Sequence, residues 1–115
     1  MPTSLLEATV RERGATAVID LRGEINSAAE ADLTAAYDDA VSRGSGAVLL
    51  NFADVVYINS TGIALIVGIL ARARTEGRTV HACNLLEHYR DIFQITRLSD
   101  FMPMFTDEES AVAAR

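Results

Sequence analysis

Short apolar runs alternate with helix-like segments through the second half of the chain, and this alternation constrains the fold more than any other feature. Residues 47–52 form a nearly continuous apolar run, which is typical of a strand covered on both faces. A strongly apolar helix is predicted from residue 63 to about residue 75, and a second buried strand over Thr79–Cys83. Strands that alternate with helices connect through right-handed crossovers, so the sequence predicts an α/β fold with a mostly parallel sheet.

The N-terminal part of the chain predicts an antiparallel hairpin. Residues 5–13 and 15–22 both show strand patterns, and only a tight link near Gly14 separates them. Residues 23–26 are expected to break the second strand, and residues 53–58 to form a loop before the apolar helix.

Three further helix starts are predicted from capping-box spacing, in which a short polar side chain is followed three residues later by Glu. These pairs are Ser27 with Glu30, Asn84 with Glu87, and Thr106 with Glu109. Gly44 and Gly46 are expected to end the first of these helices. A last short strand is predicted over residues 101–105, and Pro103 confines it to an edge of the sheet.

Length and charge limit the class of protein. The 115 residues predict a single domain, and the excess of 16 acidic over 10 basic residues argues against nucleic acid or an anionic membrane as partner. The longest apolar run, residues 62–71, is half the length that a membrane span needs, so no membrane insertion is expected. The lone cysteine, Cys83, fits a reducing compartment. We therefore expect one soluble cytoplasmic domain over residues 1–115.

One polar interruption separates two apolar segments of the chain. Asn59, Ser60, Thr61 and Gly62 lie directly before the apolar helix, in one of the loops where open parallel sheets place their function. The common use of such residues is to cap the helix, with a Ser or Thr oxygen accepting a free backbone N–H. The same helix start also suits an anion, because its N–H groups and dipole are positive. A serine here is therefore a chemically sensible phosphate acceptor, and Thr61 is the alternative acceptor.

These residues resemble the signature of a known family. Residues 55–65 read Val-Val-Tyr-Ile-Asn-Ser-Thr-Gly-Ile-Ala-Leu, similar to the Asp-Ser-Ser/Thr-Gly-Leu-Gly signature of the STAS domain of anti-sigma factor antagonists. Residues 21–26 and 91–109 are similar to other parts of that family, so the resemblance covers nearly the whole chain. It implies a STAS-like fold: a small open mixed sheet, mostly parallel with an antiparallel N-terminal strand, packed with about four helices.

The resemblance also implies a function. The unphosphorylated domain would bind an anti-sigma factor that is also a serine kinase, be released when Ser60 is phosphorylated, and be reset by a serine phosphatase. The domain itself would be neither an enzyme nor the holder of a cofactor, since nucleotide and magnesium belong to the kinase. The residues expected to contact the partner are Glu24, Ile25, Asn26, Asn59, Ser60, Thr61, Gly62 and Leu85.

One residue departs from the family pattern at the acceptor. Asn59 occupies the position where the family generally has Asp, and Asn26 in the neighbouring loop is also a neutral amide. A carboxylate could orient or deprotonate the serine hydroxyl, whereas an amide only forms hydrogen bonds. A less negative pocket would accept phosphate more easily, but the rate of phosphorylation is open. The alternatives are a constitutive binder and a non-switching subunit of a stress-sensing or transporter-associated complex.

Two other kinds of site are weaker predictions. An enzyme with Ser60 as nucleophile is disfavoured because the sequence has no G-x-S-x-G motif around this serine. A flavin-type phosphate loop is disfavoured because the polar segment 59–62 follows the third strand, whereas such a loop would follow the first. His81, Cys83 and His88 could suggest zinc, but they lack the paired spacing of structural zinc sites. We expect Cys83 to pack in the core and His88 to lie on the surface, with no metal site.

Overall fold

The computed structural model describes residues 4–43 and 46–114. The five strands are β1 (Leu6–Arg13), β2 (Thr16–Ile25), β3 (Ala47–Ile58), β4 (Thr79–Cys83) and β5 (Met104–Phe105). The four α-helices are α1 (Glu30–Ser42), α2 (Ser60–Thr75), α3 (Glu87–Ile95) and α4 (Glu108–Ala113). Single 3₁₀ turns span Ser27–Ala29 and Leu98–Asp100. No helix within the described residues is both long enough and apolar enough to cross a membrane.

The strands form one sheet in chain order, β1-β2-β3-β4-β5. β1 is antiparallel to β2, and every later pair is parallel. This arrangement confirms the predicted α/β fold with an antiparallel N-terminal strand. The last strand lies at the edge, as Pro103 predicted, although it spans only Met104–Phe105.

The sheet has a large core on one face and a small one on the other. Tyr37 of α1, Ile66 of α2 and Phe93 of α3 are buried in the same cluster as Ile19 and Leu50 of the sheet. Because side chains along a strand alternate between faces, the neighbouring strand residues belong to the opposite face. There Val18, Leu49 and Cys83 pack with Ala111 of α4. Three helices therefore cover one face of the sheet, and α4 covers part of the other.

Two strand boundaries differ from the sequence prediction. β2 continues to Ile25 through the predicted break, and β3 continues to Ile58 through the predicted loop. The two strands remain paired to Ile25 and Ile58 with register shifts along the way, while the β3–β4 pairing ends at Asn51. Continued pairing satisfies the backbone groups that a loop would leave open. We call residues 23–25 and 55–58 the β2–β3 extension.

The capping-box prediction chose the wrong residue at two helices. Asn26, not Ser27, accepts from the backbone of Ala28 at 2.9 Å. At α4 it is Asp107, not Thr106, that accepts from Ser110 N, at 2.8 Å. In both cases the side-chain oxygen of an Asn or Asp next to the predicted cap accepts the free N–H. Asn and Asp are as effective as Ser in this role.

The third predicted cap is also wrong. Asn84 has a left-handed φ of 61°, and its amide donates to Asn51 Oδ1 at 3.0 Å instead of capping α3. α3 begins after Leu86 without a side-chain cap. The first helix, α1, ends at Ser42. Of the two glycines predicted to end it, Gly44 lies outside the described residues, and Gly46 lies four residues beyond the end of the helix.

Ion pairs fasten α4 to the N-terminal hairpin. Arg13 Nη1 lies 2.6 Å from Glu108 Oε2, and Arg11 pairs with both Glu108 and Asp20. The guanidinium of Arg11 is the main cause that lowers the pKa of Glu108 to about 2, from an ordinary value of 4.5. Glu109 pairs with Arg13 as well, but its side chain is 80% exposed. Glu108 therefore carries the electrostatic attachment of α4.

We expect Glu108→Gln to lower the free energy of unfolding by about 1 kcal/mol at pH 7, the scale of a partly exposed charged hydrogen bond. A carboxylate with a lowered folded pKa stabilises the protein above pH 4.5 and loses that effect as the pH falls toward 2. The difference between wild type and variant should therefore shrink across that interval in urea unfolding experiments. Glu109→Gln is the control and should change little; an equal effect of both variants would contradict the role of Glu108.

Candidate functional site

The start of α2 is held by the residue before the predicted acceptor. Asn59 has extended backbone, and its Oδ1 accepts from Gly62 N at 2.8 Å. Asn59 is therefore the cap of α2, and the expectation that a Ser or Thr oxygen would cap this helix is wrong. Ser60 is the first residue of the helix and is exposed. Within the described residues its hydroxyl has no hydrogen-bond partner.

A close backbone approach joins the α2 start to the end of β2. A Cβ built on Gly62 would lie 2.0 Å from the carbonyl oxygen of Ile25, so only glycine fits there. The same carbonyl accepts from Asn59 N at 3.2 Å. Both contacts hold residues 59–62 against the β2–β3 extension.

The predicted contact residues lie in three segments of the chain. Ile25 is buried and Glu24 is half-buried, and Glu24 lies opposite Tyr57 in the register of β2 and β3. Asn26 begins the turn that leads into α1. These residues and the segment 59–62 come together at the carboxyl edge of the sheet. Leu85 lies in the neighbouring loop after β4 and is half-buried against the main core.

Tyr89 is a positioning residue that the sequence interpretation missed. Its hydroxyl accepts from Ile58 N at 2.9 Å in the buried interior. Tyr89 lies on the buried face of α3, but burial alone does not indicate that its hydroxyl completes the backbone of a strand. β4 ends before this point, so Tyr89 takes the place of a neighbouring strand at the tip of β3.

Exposed apolar side chains flank the same edge of the sheet. Val56 and Tyr57 of the β2–β3 extension are 67% and 50% exposed, and Leu86 at the start of α3 is 53% exposed. Neighbouring exposed apolar side chains mark surfaces that bind other proteins. The sequence prediction placed Val56 and Tyr57 in a loop, so it did not indicate that they are exposed apolar residues of a strand.

The residues considered for zinc have structural surroundings. His81 is buried and packs its ring 5.3 Å from that of Phe105, and burial lowers the pKa of its imidazole. Cys83 is buried as expected, and burial raises the pKa of its thiol to about 11. His88 is exposed on α3. Among residues 4–43 and 46–114 no group of three or more His, Cys, Asp or Glu side chains is placed to hold a metal ion.

The protein is therefore a small α/β domain that presents an exposed serine hydroxyl, that of Ser60, at the start of α2. Residues 7–111 match the STAS domain family, and the chain belongs to that family. It is 29% identical over 94 residues to BtrV of Bordetella bronchiseptica, whose name describes it as an anti-sigma factor antagonist; the match covers 82% of this chain and 81% of BtrV.

Solved structures show the same fold. An anti-sigma factor antagonist from Mycobacterium paratuberculosis superposes with a TM-score of 0.80 at 17% identity, covering 95% of this chain and 92% of that one. The phosphorylated form of SpoIIAA, a Bacillus cell fate determinant, superposes with a TM-score of 0.70 at 23% identity, covering 95% of this chain and all of its own. These matches agree with the STAS-like architecture that the sequence predicted.

We expect Gly62→Ala to lower the free energy of unfolding by about 1–3 kcal/mol, because the new methyl group would collide with the Ile25 carbonyl. Gly68→Ala is the matched control in the same helix, since nothing lies within 4 Å of its added Cβ. That variant should be up to about 1 kcal/mol more stable than wild type, from helix propensity alone. Urea unfolding measures both; equal behaviour of the two variants would contradict the close approach.

The capping role of Asn59 gives a second prediction. Asn59→Ala should lower the free energy of unfolding by about 1 kcal/mol, because Gly62 N loses its acceptor. Asn59→Asp should retain the stability, since Asp caps equally well and its charge suits the helix dipole. Ser60→Ala should change the stability by less than about 0.5 kcal/mol. A larger loss for Ser60→Ala than for Asn59→Ala in thermal unfolding would show that Ser60 is the cap.

Proposed function

We propose that the protein is a cytoplasmic anti-sigma factor antagonist that is switched by phosphorylation of Ser60. In its unphosphorylated form it binds an anti-sigma factor that is also a serine kinase, and so frees a sigma factor. Phosphorylation of Ser60 releases it, and a serine phosphatase restores it. The observation that carries this proposal is an exposed serine hydroxyl with no structural task, at a helix start that Asn59 already caps.

The position of Ser60 favours a phosphate without loss of the fold. Backbone N–H groups and the helix dipole at the start of α2 favour a group of negative charge. Asn59 N donates to the Ile25 carbonyl, and Gly62 packs closely against the same carbonyl. These two contacts hold residues 59–62 in place. The switch would therefore act by adding about 1.5 to 2 negative charges to a surface, not by refolding the domain.

The surroundings of Ser60 explain why such a charge would release a partner. Val56 and Tyr57, four and three residues before Ser60, are exposed and apolar, as is Leu86, so we expect a partner that binds these side chains to extend over Ser60. A phosphate enclosed in that contact loses its hydration, which is costly unless a cation compensates it.

Asn59 also limits what the domain contributes to the chemistry. Its side-chain oxygen accepts from Gly62 N, so this oxygen is engaged in the cap. An amide oxygen does not act as a base near neutral pH. The base that removes the Ser60 proton would come from the kinase, and the domain acts as substrate rather than enzyme.

We expect the wild-type chain to gain one phosphate, seen by intact mass, when it is incubated with ATP and its partner kinase. The anti-sigma kinases of the organism that encodes the chain, purified one at a time, supply the candidates. Ser60→Ala should gain none, and Thr61→Val should behave like wild type. If Thr61→Val loses the phosphate and Ser60→Ala retains it, the acceptor is Thr61.

Ser60→Asp extends the same experiment to binding. The added charge should weaken kinase binding in calorimetry at least about tenfold, which corresponds to about 1.4 kcal/mol. The melting temperature should remain close to that of wild type, because Ser60 has no structural hydrogen bond to lose. A wild-type chain that binds a kinase tightly but is never phosphorylated would identify a non-switching STAS subunit instead.

A further inference from the structure

An apolar groove lies beside α2, at the end of the helix away from Ser60. Its volume is about 240 Å³, and α2 and the segment before β5 line it with Val67, Leu70, Ala71, Arg74, Leu98 and Phe101. Val67 is 41% exposed and Phe101 is 54% exposed. Small-molecule pockets are commonly about 300–1,000 Å³, so this groove suits an inserted side chain better than a cofactor.

The groove has a cation at its rim that lacks an acidic neighbour. The Arg74 guanidinium lies 5.3 Å from the centre of the Phe101 ring, and in the described part of the chain no carboxylate lies within 4.0 Å of it. Arg72, two residues earlier and so on another side of the helix, is by contrast paired with Asp38 and Glu76. Among the described residues, Arg22 and Arg90 are also exposed without a carboxylate within 4.0 Å, but of these three arginines only Arg74 lines the groove.

The groove and the acceptor serine lie along one side of α2. Ser60, Val67 and Arg74 are spaced seven residues apart, which places them on the same face of a helix, and all three are exposed. With a rise of 1.5 Å per residue, the stretch from Ser60 to Arg74 is about 21 Å long. A partner that covers Ser60 and follows the helix would therefore reach the groove.

We propose that this groove is a second anchor point for the anti-sigma kinase, an inference that rests on the proposed function. The kinase inserts an apolar side chain between Val67 and Phe101 and places a neighbouring carboxylate on Arg74. Aromatic and arginine side chains are the residues that most often dominate the energy of an interface, and the groove offers one of each. Because it lies away from the phosphate, the groove adds affinity that does not depend on the charge at Ser60, and that charge controls release.

Calorimetry with the purified kinase that binds wild type tests this assignment. Phe101→Ala should weaken binding about tenfold or more, and Arg74→Glu should weaken it by a similar factor that decreases as salt is added. Ile95→Ala is the control, because Ile95 is 81% exposed but does not line the groove. This variant should bind the kinase with the affinity of wild type. For Phe101→Ala, the phosphorylation reaction should show a raised KM with kcat retained, because Ser60 is intact.

The outcomes separate the groove from the proposed function. If wild type binds the kinase and both groove variants bind equally well, the groove is not an anchor, and the antagonist function stands. If wild type binds no anti-sigma kinase, the proposed function fails and the groove assignment fails with it. If wild type instead forms a dimer in sedimentation experiments and Phe101→Ala is a monomer, the occupant is a second copy of this chain, which overturns the assignment to a kinase.

Discussion

The contact between Gly62 and the Ile25 carbonyl is the constraint on which the functional edge depends. It brings the first turn of α2 to a distance at which no side chain fits, and the same carbonyl accepts from Asn59. The α2 start, which includes the proposed acceptor Ser60, is therefore held as one unit with the tip of β2. Rigidity of this kind suits a surface that is recognised in one chemical state and rejected in another, because the difference lies in charge alone.

The polar residues of this unit divide their tasks. Asn59 supplies the cap, Tyr89 satisfies the tip of β3, and Ser60 is left without a structural partner. A hydroxyl that contributes nothing to the fold is free to be modified at little cost to stability. The apolar residues follow the same division: the buried members of α2 pack on the sheet, while Val67 faces the groove at the side of the helix.

The sequence predicted the order and type of the elements well, because apolar periodicity records which faces are buried. It predicted their boundaries poorly around residues 23–26 and 53–58, where parallel pairing keeps β2 extended to Ile25 and β3 extended to Ile58. Pairing between distant strands overrides local propensity there. Ser60 could be located from its motif, and the cap of Asn59 is also a local contact, although the sequence interpretation assigned it to a Ser or Thr oxygen. The hydroxyl of Tyr89 and the groove at Phe101 depend instead on contacts between residues that are distant in the chain.

The order of strands in the sheet has a consequence for how the domain assembles. Each strand lies beside the one that precedes it in the chain, so the sheet grows by joining each new strand to an edge already formed. The connections between consecutive parallel strands, residues 26–46, 59–78 and 84–103, are 20 or 21 residues long, so each new strand closes a loop of similar length. The exception is the ion pairing of α4 with Arg11 and Arg13, which links the last element to the first. The pairing of Arg11 and Arg13 with Glu108 therefore has to wait until the helix that carries Glu108 has been synthesised, about 95 residues after β1.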